Sequence, residues 1–156
     1  MTNVLDIMTK SPAVCMPDTP LADVARMMVE HDCGAVPVVG SQSDPMPLGI
    51  VTDRDIVVRL VAEGRCPLDH AAKDAMSQSV ATVHGTDSLD QAAQVMEENQ
   101  VRRVPVIDEQ GHIIGIVSQA DIALNATDQQ TADVLREVSE DEELLTRVPM
   151  GGTYSG

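Results

Sequence analysis

Gly49-Ile50-Val51-Thr52-Asp53-Arg54-Asp55-Ile56 returns as Gly115-Ile116-Val117-Ser118-Gln119-Ala120-Asp121-Ile122. Each octapeptide closes an apolar run, then sets a hydroxyl and, three residues on, a carboxylate at the point where a helix would begin. Reading outward, residues 6–62 reappear with substitutions at 74–125. At an offset of 68, Asp6, Met8, Leu21, Met28, Val36, Pro37 and Val38 meet Asp74, Met76, Leu89, Met96, Val104, Pro105 and Val106. The offset then falls to 66, because the loop Ser41-Gln42-Ser43-Asp44-Pro45-Met46-Pro47 makes the first copy two residues longer. A Pro- and Ser-rich loop is where such an insertion costs least.

Each copy opens with a short apolar stretch, Ala13-Val14-Cys15 or Ala81-Thr82-Val83, that reads as a strand. Leu21, Val24, Ala25, Met28 and Val29 recur at helical spacing behind Thr19-Pro20, an N-cap and first-turn signal. Leu89, Ala92, Ala93 and Met96 repeat that stripe behind Asp87. A hairpin follows in each copy, Ala35 to Val39 with Leu48 to Val51, and Val104 to Ile107 with Ile113 to Val117. A closing helix begins at Thr52 or Asp53, buries Ile56, Val57, Leu60 and Val61, and stops at Gly64; its counterpart is shorter, about Gln119 to Asn125. The unit is strand, helix, strand, strand, helix: an α/β fold in two pseudo-two-fold-related copies. Roughly 60 residues bury too little surface to be comfortable alone, so the copies are expected to pack as one module. The divisions are repeat 1 over 4–63, a linker over 64–73, repeat 2 over 74–126 and a C-terminal part over 127–156. In the last, Thr131 to Ser139 read as an amphipathic helix before an acidic tail.

Composition excludes several functions. Against 25 Asp and Glu stand 10 Lys and Arg, a formal charge of −15 over 156 residues, which repels nucleic-acid phosphates. No run approaches the roughly 18 apolar residues of a membrane span, and Met1 to Met8 does not read as a leader, so a cytoplasmic protein is expected. There is no Phe or Trp and a single Tyr154, so the core is aliphatic, with nine Met, and offers no ring on which to stack a base. Cys15, Cys33 and Cys66 lack metal-like spacing, and the first two match Val83 and Val101, which marks them as small apolar packing residues. His31, His70, His84 and His112 are scattered, and no nucleophile–base arrangement or phosphate loop is legible; the chain is expected to be no enzyme and to need no metal or cofactor.

The two octapeptides, together with Cys33-Gly34-Ala35-Val36-Pro37-Val38 and Val101-Arg102-Arg103-Val104-Pro105-Val106, resemble a tandem pair of CBS (cystathionine-β-synthase) domains over residues 4–125. The compact chain is similar to small stand-alone bacterial CBS pairs, including the hypoxic-response type. The resemblance implies two clefts between the repeats, often a dimer, and an adenosine ligand such as AMP, ATP or S-adenosylmethionine.

Thr52-x-x-Asp55 and Ser118-x-x-Asp121 have a sufficient structural reason as helix caps, and the resemblance adds contacts to a ribose or phosphate. Arg102 and Arg103 are candidate phosphate ligands, since a guanidinium grips two oxygens at once; Arg54 and Lys10 are further candidates. Gly34 and Ala35 stand where Arg102 and Arg103 would be in the first copy, so the clefts are expected to differ. Ala13, Val14, Val36, Pro37, Ala81, Thr82, Val104 and Pro105 are expected to line an aliphatic adenine slot. The acidic background favours AMP or cationic S-adenosylmethionine over ATP. The expected function is a non-catalytic sensor, a homodimer acting on an unidentified regulated protein. The alternatives are a constitutive dimeric scaffold with empty clefts and a redox-responsive dimer.

Overall fold

The computed structural model describes residues 2–78 and 81–126. The chain divides into one unit, Met1–Ile122, and a second from Ala123 onward; the helix expected over Thr131 to Ser139 and the acidic tail lie outside the described residues. The first unit runs α1 (Val4–Ile7), β1 (Thr9–Lys10), α2 (Leu21–Glu30), β2 (Ala35–Val39), β3 (Pro47–Thr52) and α3 (Asp53–Ile56), which continues as a π-helical turn, Val57–Val61. A 3-10 turn (Pro67–Asp69), α4 (Ala72–Ala75), β4 (Val83–His84), α5 (Leu89–Asn99), β5 (Arg103–Ile107) and β6 (Ile113–Ser118) follow, and a helix, α6, starts at residue 119.

The hairpins form where the apolar runs place them, with the same register in both copies. Val36 faces Val51 and Val38 faces Gly49 in the first; Val104 faces Val117 and Val106 faces Gly115 in the second. The strand expected before each long helix is shorter than its apolar stretch. In copy one it is a single parallel bridge between Cys15 and Val38, and in copy two the pair β4–β5. Proline is the cause: extending either ladder backwards would need an N–H from Pro37 to the carbonyl of Ala13, or from Pro105 to that of Ala81, and neither exists.

The repeats exchange their leading segments. Val4 N donates to the Asp87 carbonyl at 3.0 Å and Leu5 N to that of Gly85 at 2.9 Å, so the start of the chain docks on the second repeat. In return Ala72 N donates to Thr19 at 2.8 Å and Lys73 N to Pro17 at 2.9 Å. β1 extends the second sheet, which runs β1-β6-β5-β4, and Ser77 bridges to Ile50 on the first. Two apolar clusters result: Leu21, Val24, Val36, Val38, Val51 and Leu60 take in Ala72 and Ala75, while Val83, Ala92, Met96, Val104, Val106 and Val117 take in Val4. Complete burial of Val4 alone contributes about 1.5–3 kcal/mol to that attachment. The crossings are tight. A Cβ at Gly49 would lie 2.6 Å from the Ser77 carbonyl oxygen, and one at Gly115 2.9 Å from that of Thr9.

Three helical faces depart from the sequence pattern, one of them α5, where Ala93 is exposed beside buried Ala92 and Met96. On α2 the buried stripe is Leu21 and Val24 with Met27 and Met28 beside it, whereas Val29 is 82% exposed and Ala25 is exposed. Thr19 spends its hydroxyl accepting from Met16 N at 2.9 Å, which leaves Pro20 as the N-cap. After α3 only Leu60 is fully buried, while Val57 and Val61 are exposed. The wider π turn, with Ala62 N reaching Val57 O at 2.8 Å, takes these positions off the α-helical spacing that puts them on one face. Gly64 closes the segment at φ +73°, the left-handed position that glycine occupies without strain. The longer loop of the first copy is clasped to the second hairpin, with His112 Nε2 2.6 Å from Asp44 Oδ1 and Ile113 N donating to Pro45 O at 2.9 Å.

Candidate functional site

A cavity of about 470 Å³ opens between the repeats, within the roughly 300–1,000 Å³ common for small-molecule sites. Its walls come from three places that the exchange of segments brings together. Ile50, Thr52, Asp53, Arg54 and Asp55 form the strand-to-helix junction of repeat 1; Ser77 and Ala81 lie on the crossing segment; Gln100, Val101, Arg102, Arg103 and Val104 lead into β5.

Reciprocal hydrogen bonds tie the junction together. Asp55 N donates to Thr52 Oγ1 at 3.0 Å and Thr52 N donates back to Asp55 Oδ2 at 3.0 Å. The other carboxylate oxygen, Oδ1, stands 3.8 Å from Arg59 Nε. Asp53 N donates to the Gly34 carbonyl at 3.0 Å, tying the helix start to the loop before β2. Across the cavity, Gln100 ends α5 at φ +54°, which turns the chain sharply into Arg102 and Arg103. Arg102 is exposed and Arg103 half-buried. The lining thus includes three arginines and two aspartates, in a chain of net charge −15. A guanidinium about 4 Å from a phosphate is worth roughly 4 kcal/mol at an effective dielectric of 20, while carboxylates beyond about 8–10 Å are largely screened. Local geometry therefore decides the sign of the field here.

Of the residues singled out from the sequence, Thr52, Asp55, Arg54, Arg102, Arg103, Ala81 and Val104 line this cavity. Ser118 and Asp121 do not; they form the matching cap on α6, with Ser118 N 2.9 Å from Asp121 Oδ2 and Asp121 N 3.0 Å from Ser118 Oγ. Lys10 is exposed on β1 beside Gly115, Val36 is fully buried in the first core cluster, and Pro37 and Pro105 are buried within the hairpins. Ala13, Val14 and Thr82 are half-buried outside the lining. Sequence reasoning missed Ile50, Asp53, Ser77, Gln100 and Val101. Ser77 in particular reaches the site only because the linker crosses to the other repeat.

At the repeat positions corresponding to Arg54, Arg102 and Arg103 stand Ala120, Gly34 and Ala35, and Asp32 stands where Gln100 does. The second copy's counterpart of the cavity therefore has no arginine at these places. The Cys15 thiol offers little chemistry, since burial pushes it up to about 11 and it packs in the first core cluster, whereas Cys33 is half-buried and Cys66 is exposed.

A CBS domain family model matches residues 4–62 and 72–126. Hypoxic response protein 1 of Mycobacterium tuberculosis is 41% identical over 123 residues, 79% of this chain and 84% of that protein. An uncharacterised protein of Methanopyrus kandleri, MK0525, is 36% identical over 75% of this chain, which spans only 56% of MK0525. Among solved structures, Hypoxic Response Protein I with two coordinated zinc ions superposes with a TM-score of 0.68 at 38% identity, covering 78% of this chain and 97% of that one. The CBS domain pair of protein MJ0100, in complex with 5′-methylthioadenosine and S-adenosyl-L-methionine, gives 0.73 at 25% identity over 83% of this chain and 98% of that one. The described residues do not fit a zinc site of their own, since among them no three His, Cys, Asp or Glu side chains gather around one point. Also among them, no helix is long and apolar enough to cross a membrane. The doubled motif, the exchanged segments and the family match agree: this chain belongs to the CBS domain family, as a tandem pair of repeats.

Proposed function

We propose that the chain is a non-catalytic sensor that binds one adenosine nucleotide, AMP in preference to ATP, in the cavity between Asp55 and Arg103. The observation that carries this reading is that the cavity is lined by Arg102 and Arg103 together with the Thr52–Asp55 helix start, which itself contains Arg54, in a chain otherwise strongly acidic. Arg102 and Arg103 take the phosphate, Asp55 the ribose hydroxyls, and Ile50, Ala81, Val101 and Val104 the base, which needs an aliphatic slot because the chain has no Phe or Trp. Ala81 has a carbonyl that Pro105 cannot engage in the ladder, which suits it to read the edge of an adenine. The adenosine ligands of the MJ0100 pair support the ligand class, and the three arginines favour a phosphate-bearing member of it. With no arginine at the corresponding positions, the second cleft holds no phosphate ligand.

Ligand binding biases the packing of the two repeats by its differential affinity for two arrangements, and an unidentified partner reads the difference. The working form is a cytoplasmic homodimer, in which exposed Val57, Val58 and Val61 pack against a second copy. Thermal unfolding with AMP, ADP, ATP, S-adenosylmethionine and NADH tests the reading, since a ligand at 100 times its Kd adds about 2.7 kcal/mol. AMP is expected to raise Tm more than ATP does. No shift with any of them favours the scaffold with empty clefts.

A further inference from the structure

We propose that Arg59, outside the cavity, is a positioning residue that presents the Asp55 carboxylate to a ribose diol and thereby sets discrimination between ribonucleotides and 2′-deoxyribonucleotides. The inference rests on the nucleotide reading above. Asp55 spends Oδ2 on the helix cap, which leaves Oδ1 to turn about that single anchor. Arg59 Nε faces Oδ1 at 3.8 Å, near enough to orient it by charge and too far to consume it as a hydrogen-bond acceptor. The guanidinium is itself held at its far end, donating through Nη1 to the Met76 carbonyl at 3.2 Å and through Nη2 to Ser77 Oγ at 3.3 Å. Met76 and Ser77 belong to the crossing segment, and Ser77 lines the cavity. One planar group thus spans the acid of repeat 1 and the crossing segment at the start of repeat 2. The Arg59 side chain is 49% exposed, so the ion pair adds little to stability, and its effect lies in orientation. Asn125 stands at the corresponding position of the second copy, so Asp121 has the same cap without this guanidinium.

The test is the Kd of AMP and of 2′-deoxy-AMP, by isothermal titration calorimetry, for the wild type, Arg59→Gln and Arg59→Lys. The wild type is expected to prefer AMP by about tenfold, in line with one hydrogen bond to a charged group. Arg59→Gln brings that ratio close to one by weakening AMP, with 2′-deoxy-AMP affected less than about twofold, a split that a general loss of packing would not give. Arg59→Lys keeps the charge and loses the fork, so an intermediate ratio is expected, and this variant decides the matter if Arg59→Gln does not fold. An unchanged ratio, or equal weakening of both nucleotides, overturns the proposal. A wild type that binds AMP without preferring it to 2′-deoxy-AMP overturns this inference alone. One that binds neither nucleotide overturns the nucleotide reading and this inference with it.

Discussion

Thr52 and Asp55 close a reciprocal cap at the start of α3, each backbone N–H 3.0 Å from the other's side-chain oxygen. Ser118 and Asp121 repeat it on α6 at 2.9 and 3.0 Å. The caps are equal as structure, and only the first lines the cavity with Arg102 and Arg103. Thr52→Ala and Ser118→Ala should therefore each lower stability by about 1 kcal/mol in urea denaturation. A cost confined to one of them would mean that the two helix starts are not energetically equivalent.

The exchange of leading segments depends on two glycines. At Gly49 a Cβ would sit 2.6 Å from the backbone oxygen of Ser77, which the β bridge to Ile50 holds in place. Gly49→Ala is expected to cost about 1–3 kcal/mol in chemical denaturation, as overpacking against backbone does. Gly40→Ala, where the nearest atoms are 3.9 Å away, serves as the control and should change stability far less.

Burial of Cys15 predicts a pH dependence. Its thiol is raised from 9.0 to about 11 by desolvation, so the unfolded chain ionises first. The stabilising contribution is whole below pH 9.0 and is lost as pH rises towards about 11, by at most about 1.4 kcal/mol per pH unit. Cys15→Val, the residue found at the matching position 83, should remove this part of the alkaline decline in urea midpoints. An identical decline in the variant would place the effect elsewhere.

Much of this architecture was legible in the doubled sequence. The hairpins followed from the paired apolar runs, though not their register, and the caps followed from the Ser/Thr-x-x-Asp spacing. The exchange was not legible, because Val4 and Ala72 carry no local signal for which repeat will bury them. Nor were Ser77 and Gln100 as lining residues, since one depends on that crossing and the other on a left-handed backbone at φ +54°. Periodicity also placed Val29, Val57 and Val61 inside, where the structure leaves them exposed: an apolar stripe marks what is to be covered without saying by which surface.

Those valines bear on assembly. Val57, Val58 and Val61 are 56%, 48% and 53% exposed on one short segment. If they pack against a second copy, Val57→Asp with Val61→Asp should convert a dimer to a folded monomer in sedimentation velocity, with the far-ultraviolet circular dichroism kept. A wild type that sediments as a monomer, or a dimer that survives both substitutions, assigns the patch another role.

The most direct measurement is the stoichiometry of AMP binding by calorimetry for the wild type, Asp55→Ala and Asp121→Ala. One AMP per chain is expected, with affinity lost by about tenfold or more in Asp55→Ala, as when a charge-assisted hydrogen bond is removed, and kept within about threefold in Asp121→Ala, a residue outside the cavity. Two AMP per chain, loss only in Asp121→Ala, or no binding by the wild type would contradict a single arginine-lined nucleotide site.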